Sequence, residues 1–264
     1  MNISNYIEIA KGKINNKFIK TLILAIYAGM FISLAGLLST MVSYKVDNNS
    51  IAKILSGIVF PIGLILVILF KTELFTGNSL LIIPLLDKKV TFKQVIKNLL
   101  LVYIGNLIGA LIITILIYNT PIRDILSDSF IKIANTKVNY TFSECIILGV
   151  LCNFLVCIAV YLASTVKSVG EKILVIFIPI FMFVVLSFEH SIANMFYLGI
   201  GYMLDSGLTI SKLIINNLLP VTIGNIIGGC FLGLSIWYLR EEAKLEITDT
   251  KLKDEYNDYI NSYK

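Results

Sequence analysis

PIFMFVVLSFEHSIANMFYLGIGYML, from Pro179 to Leu204, is almost wholly apolar and long enough to cross a bilayer, for which roughly 20 apolar residues suffice. Its middle departs from that pattern. Ser187, Glu189, His190, Ser191 and Asn194 place five polar residues within eight positions, and His190 is the only histidine of the chain. Ionisable groups are costly at membrane depth, so they face a cavity or a partner and mark a transport path. The plainer alternative is a buried histidine satisfied by a neighbouring helix.

The 264 residues are 57% hydrophobic and only 15% charged, with a mean hydropathy of +0.85. A soluble domain carries roughly 25% charged residues, so the composition predicts an all-α integral membrane protein, a single membrane domain over 1–264. The first twenty residues lack the short apolar core of a cleavable signal peptide. With Lys11, Lys13, Lys17 and Lys20 among scattered apolar side chains, they predict a short amphipathic helix on the membrane surface. Cys145, Cys152, Cys157 and Cys230 lie in apolar runs without a CxxC pair, as small packing residues do. No metal or cofactor is expected.

Six spans follow from the apolar runs. The first covers Phe18 to Tyr44, with Gly29, Ser33 and Gly36 as close-packing positions. The second starts near Ile54, breaks at Lys71-Thr72-Glu73-Leu74-Phe75-Thr76-Gly77-Asn78, and ends at Asp87-Lys88-Lys89. The third covers Val95 to Tyr118, a polar stretch fills 119–141, and the fourth spans 142–164. The fifth runs from 172 through the broken stretch, the sixth covers 213–239, and 241–264 reads as a charged, solvated tail.

With the N-terminus inside, twelve lysines and arginines fall on the inner side and six on the outer. That places both termini, including 1–17, in the cytoplasm and the protein in the cell's inner or plasma membrane.

The chain also repeats itself. Ile104-Gly105-Asn106-Leu107-Ile108-Gly109 returns 119 positions later as Ile223-Gly224-Asn225-Ile226-Ile227-Gly228. Glu73 and Asn78 recur 116 positions later as Glu189 and Asn194, and Pro61 recurs 118 later as Pro179. Three spans per half force the halves into opposite orientations, an inverted three-plus-three repeat whose broken helices meet near the midplane and build a binding site. Unwound backbone is tolerated in lipid only where protein or a cavity covers it. The freed N–H groups and the dipole of each second half-helix favour an anion. Thr76 and Ser191 stand at the breaks as hydroxyl donors. Asn78 and Asn194 are expected to tie the broken backbone together.

KTELFTGN (71–78), Lys137 followed by TFSECIILGVLCNFLVCIAVYLAS (141–164), and FEHSIANMF (188–196) resemble the formate/nitrite transporter family. The resemblance covers about residues 15–240. It implies an aquaporin-like fold without sequence similarity to aquaporins, and a homopentamer in the lipid bilayer with one pore per protomer. Its solutes are small monovalent anions of weak acids: formate, nitrite or hydrosulfide. On that resemblance His190 matches the central pore histidine and Thr76 the threonine of the loop interrupting the second span. Lys137 matches a vestibule lysine sixteen positions before Asn153. Phe60, Leu64, Leu74 and Phe183 stand where the family places two hydrophobic constrictions. Lys71 departs from the family's usual glycine, and is expected to snorkel to the interface or to pair, with Glu73 or a polar neighbour. Glu73, Glu189 and Lys71 therefore rank as modulators.

Together these features predict that Lys137 and the half-helix dipoles draw an anion in, and that His190 donates a hydrogen bond or proton between the constrictions. A bare anion in a dry constriction carries a heavy desolvation cost, and an imidazole is a suitable donor at neutral pH. A proton-coupled symporter could use the same residues. A neutral-solute pore fits less well, because the breaks hold an ionisable histidine and no Asn-Pro-Ala. An enzyme fits least, for want of a phosphate loop, a metal cluster or a second base.

Overall fold

The computed structural model describes residues 4–205 and 207–261, with side chains as far as Glu242. Helix α1 (Ser4–Asn15) precedes α2 (Phe18–Ser43), and α3 (Asn49–Val59) meets α4 (Pro61–Leu69) at Phe60, where Pro61 starts the new segment. A short α5 (Phe75–Asn78), a 3₁₀ turn (Ser79–Leu81) and α6 (Ile82–Leu86) complete the first broken segment, followed by α7 (Phe92–Tyr118). Next come α8 (Ile122–Val138), α9 (Phe142–Thr165), α10 (Val169–Val185) and α11 (Ser191–Leu204). The chain ends in a three-residue α12 (Ile210–Lys212), a π-helical turn (Leu213–Leu218) and α13 (Leu219–Asn261).

Among the described residues, five helical stretches are long and apolar enough to cross a membrane: Phe18–Ser43, Asn49–Leu69, Phe92–Tyr118, Phe142–Thr165 and Ile210–Glu242. Phe75–Leu86 and Ser191–Leu204 are shorter apolar helices. Three boundaries differ from the sequence expectation for local reasons. Asn48 caps two backbone N–H groups, so α3 starts well before Ile54. A capping box of Thr91 and Gln94 starts α7 at Phe92. The polar stretch 119–141 is mostly helix α8, with Leu126, Phe130, Ala134 and Val138 buried at helical spacing. The tail 241–264 continues the α13 backbone to Asn261, but its side chains beyond Glu242 lie outside the described residues.

Close packing pairs α2 with α7 and α9 with α13. A Cβ on Gly109 would fall 2.1 Å from the Ile26 carbonyl oxygen, and one on Gly228 would fall 2.2 Å from that of Val150. Backbones so near leave no room for a side chain, which is why the repeated IGN-x-IG motif keeps glycine there. Outside the spans, Asn135 Nδ2 donates to Asp205 at 2.9 Å and the Gly207 N–H donates at 2.8 Å. These two donors hold the Asp205 carboxyl below the usual carboxylate range.

Both broken segments close in the same way. After α4, the Lys71 N–H bonds Ile68 O at 3.2 Å and the Thr72 N–H bonds Val67 O at 2.9 Å. After α10, the Ser187 N–H bonds Val184 O at 3.0 Å and the Phe188 N–H bonds Phe183 O at 3.0 Å. This is a Schellman ending, and it sets Lys71 at φ 52° and Ser187 at φ 58°. The left-handed region suits glycine and costs other residues about 1–2 kcal/mol.

Candidate functional site

The two breaks are held by one hydrogen-bond plan used twice. The Glu73 N–H reaches Leu24 O at 3.3 Å, as the Glu189 N–H reaches Leu148 O at 3.3 Å. Asn106 Oδ1 accepts the Phe75 N–H at 2.9 Å, while its amide donates to Ala25 O at 2.8 Å and Glu73 O at 2.9 Å. Asn225 Oδ1 accepts the Ser191 N–H at 2.9 Å and donates to Gly149 O at 2.8 Å and Glu189 O at 3.0 Å. The backbone ties therefore come from Asn106 and Asn225, and not, as expected, from Asn78 and Asn194.

Asn78 and Asn194 instead serve the buried carboxylates. Asn78 Nδ2 donates to Glu73 Oε2 at 2.7 Å and to Asn98 Oδ1 at 2.9 Å. Asn194 Nδ2 donates to Glu189 Oε2 at 2.6 Å and to Asn217 Oδ1 at 2.7 Å. Asn217 sits in the π-helical turn and also donates to Glu189 Oε2 at 3.1 Å and Lys137 O at 3.0 Å. Each carboxylate has one ammonium. Lys137 Nζ lies 2.8 Å from Glu189, and Lys13 Nζ lies 3.1 Å from Glu73 and 2.8 Å from Asn78 Oδ1. A buried carboxylate requires such company, since an unpaired buried charge costs several kcal/mol.

At the point where the breaks meet, the plan loses its symmetry. His190 stands 116 positions after Leu74 and Ile192 stands 116 after Thr76. His190 Nε2 lies 3.0 Å from Thr76 Oγ1, and Nδ1 accepts the Ala193 N–H at 3.1 Å. A backbone N–H can only donate, so Nδ1 carries the lone pair and a neutral ring carries its proton on Nε2. The imidazole stacks on Phe183 with centroids 6.0 Å apart, and Phe183 meets Phe60 edge-on at 5.6 Å.

Two cavities flank this contact. One, of about 490 Å³, is lined by His190, Phe60, Phe183, Lys53, Lys132 and Lys137 among others. The other, of about 500 Å³, lies on the α1 side and is lined by Lys13, Lys20, Lys71, Lys172, Glu73 and Gly77 among others. Leu64 and Leu74 line neither; they are buried in the same apolar cluster as Phe60 and Phe183. Of the other residues expected on the solute path, Asn194 lines the first cavity, whereas Thr76, Asn78, Ser191 and Asn153 line neither, and Asn153 ties backbone. Its amide donates to Thr76 O at 3.1 Å and Asn225 O at 2.6 Å, which fastens one half to the other.

The remaining residues are placed as follows. Ser191 Oγ is buried and bonds no protein group. Of the two alternatives for Lys71, the pairing with Glu73 is not seen, since Lys13 holds that carboxylate; Lys71 is exposed and lines the α1-side cavity. Lys13, Asn98, Asn106, Asn217 and Asn225 carry the site without having been singled out for it. The repeated Asn106 and Asn225 were the available signal.

Proteins similar to this chain include channels and transporters. The "Formate channel FocA" of Escherichia coli (strain K12) is 37% identical over 250 residues, covering 84% of this chain and 88% of that protein. The "Formate-nitrite transporter" of Plasmodium falciparum is 31% identical over 255 residues, covering 89% and 82%. Among solved structures, a "Pentameric formate channel with formate bound" superposes with a TM-score of 0.74 at 33% identity, covering 84% of this chain and 97% of that one. An "FNT family ion channel" gives 0.80 at 28% identity, covering 89% and 96%. The family model described as "Formate/nitrite transporter" matches residues 2–239, and with relatives this similar over this much of their length, the chain belongs to the formate/nitrite transporter family.

Proposed function

We propose that the protein is a channel for small monovalent weak-acid anions, with formate the leading solute and nitrite and hydrosulfide served by the same chemistry. The observation that carries this reading is the Thr76–His190 contact, set between two lysine-lined cavities. Lys137 on the α8 side and Lys13 on the α1 side lower the cost of bringing an anion to the break. Phe60 and Phe183, which line the first cavity, and Leu64 and Leu74, buried in the same apolar cluster, keep the middle dry. There the anion loses its water and needs a donor.

His190 supplies that donor from Nε2, exchanging Thr76 Oγ1 for the anion. Because Nδ1 is occupied by the Ala193 N–H, the ring is arranged to donate a hydrogen bond. Giving up the proton entirely would require Nδ1 to take another and release that cap. Asn78, Asn194, Asn153 and the glutamates hold the geometry, and the Ser191 N–H anchors the α11 terminus on Asn225 Oδ1. Facilitated flow without obligatory proton coupling follows; a symporter would require the full transfer.

The same reading assigns six spans in an inverted, aquaporin-like repeat, counting α10 with α11 as the fifth. It assigns a homopentamer in the inner or plasma membrane with both termini cytoplasmic, so the α1-side cavity opens inward. The test is flux of each anion into proteoliposomes from about pH 5 to pH 8, for the native protein and His190→Ala. Unchanged flux and pH profile in the variant would remove His190 from the mechanism.

A further inference from the structure

The α1-side cavity carries more positive charge than a single passing anion calls for. Lys13, Lys20, Lys71 and Lys172 line it, and Glu73, its only acidic lining residue, already pairs with Lys13. Among the described residues Lys20, Lys71 and Lys172 have no acidic partner. They come from three separate elements, the start of α2, the left-handed turn after α4 and the first turn of α10. Lys71 takes that turn against its steric preference. Lys45 and Lys88 do the same elsewhere, yet neither lines either of these two cavities.

We infer that this cavity is a binding site for small dianions, dicarboxylates or doubly charged phosphate, which occupy it and block the pore more strongly from the α1 side than from the other. Two or three ammonium groups around about 500 Å³ can neutralise both charges of such a ligand. Onward passage is closed to it, because the segment beyond offers one imidazole donor against two desolvated charges. A monovalent anion sees the same lysines as a weak attraction and moves on. The opposite cavity has a smaller surplus: Lys137 is bound to Glu189, which leaves Lys53 and Lys132 against the three unpaired lysines here.

The site's blocking effect rests on the channel reading, whereas binding can be measured apart from it. Calorimetry on the detergent-solubilised assembly with succinate, and with inorganic phosphate at about pH 8, should show saturable binding that weakens about fivefold in Lys71→Gly and in Lys172→Gln. In planar bilayers, either dianion on the α1 side should reduce formate current while chloride at equal ionic strength does not. Half-block should rise about fivefold in each variant relative to that variant's own uninhibited current. Binding unchanged in both variants, block of equal strength from both sides, or equal block by chloride would each overturn the site. Absence of formate current with intact, lysine-dependent binding would instead overturn the channel reading and leave the site standing.

Discussion

Nδ1 of His190 accepts the N–H of Ala193, three residues ahead, at 3.1 Å. The imidazole thus caps its own helix, work that serine, threonine or aspartate does in most helices. The same bond fixes which nitrogen faces the opposite break. Orientation of the ring and identity of the donor are settled by one backbone group.

Thr76→Val removes the acceptor that Nε2 faces. A buried donor left unsatisfied costs about 1–3 kcal/mol, so the melting temperature of the assembly should fall, while Thr76→Ser should retain it. Formate flux should follow the same order. If valine and serine melt and conduct alike, the 3.0 Å contact has no energetic role.

Lys137→Ala strands the Glu189 carboxylate, only 3% exposed, among two asparagine amides. Breaking a buried pair from one side typically costs about 3–5 kcal/mol. Adding Glu189→Gln should recover a large part of that loss in thermal denaturation. Lys13→Ala should cost less, because Lys13 is the more exposed of the two lysines, at 21% against 14%.

Lys71→Gly and Ser187→Gly should each stabilise the fold by about 1 kcal/mol, by relieving a left-handed backbone. Lys71→Ala should give no such gain, since alanine meets the same clash. Melting curves that place alanine with glycine would assign the effect to lost charge.

Asn225→Ala deletes two hydrogen bonds to the second break and a third to Gly149 O in α9. Amide exchange at Glu189 and Ser191 should accelerate well beyond that of the rest of α11, as read by mass spectrometry. Asn106→Ala should do the same at Phe75 and leave the second break protected. A uniform rise across the protein would indicate general unfolding and no local tie.

Much of this architecture is visible in the residues alone. Apolar runs announced the spans, and the doubled IGN-x-IG and Glu-x₄-Asn patterns identified the two breaks as a pair. Less visible was the division of labour among asparagines. Asn78 and Asn106 are equally polar and equally buried, and only the fold decides which meets backbone and which meets carboxylate. Lys13 was hidden for a different reason: its partner Glu73 is 60 positions away, beyond any helical spacing. The helix in 119–141 escaped because its four buried side chains lie in a stretch too polar to read as a span.

Each half closes its own break. Leu24, Ala25, Asn98 and Asn106, with Lys13, satisfy the first, and all precede residue 119; Leu148, Gly149, Asn217 and Asn225, with Lys137, satisfy the second. Ribosomes deliver the chain from one end, and unsatisfied backbone in hydrocarbon costs several kcal/mol per group. A nascent first half can therefore rest in the bilayer with its loop already sealed while the second is still being translated. Asn153 then arrives as the fastener, joining Thr76 of the older half to Asn225 of the younger, and completing the protomer becomes a matter of docking two finished pieces.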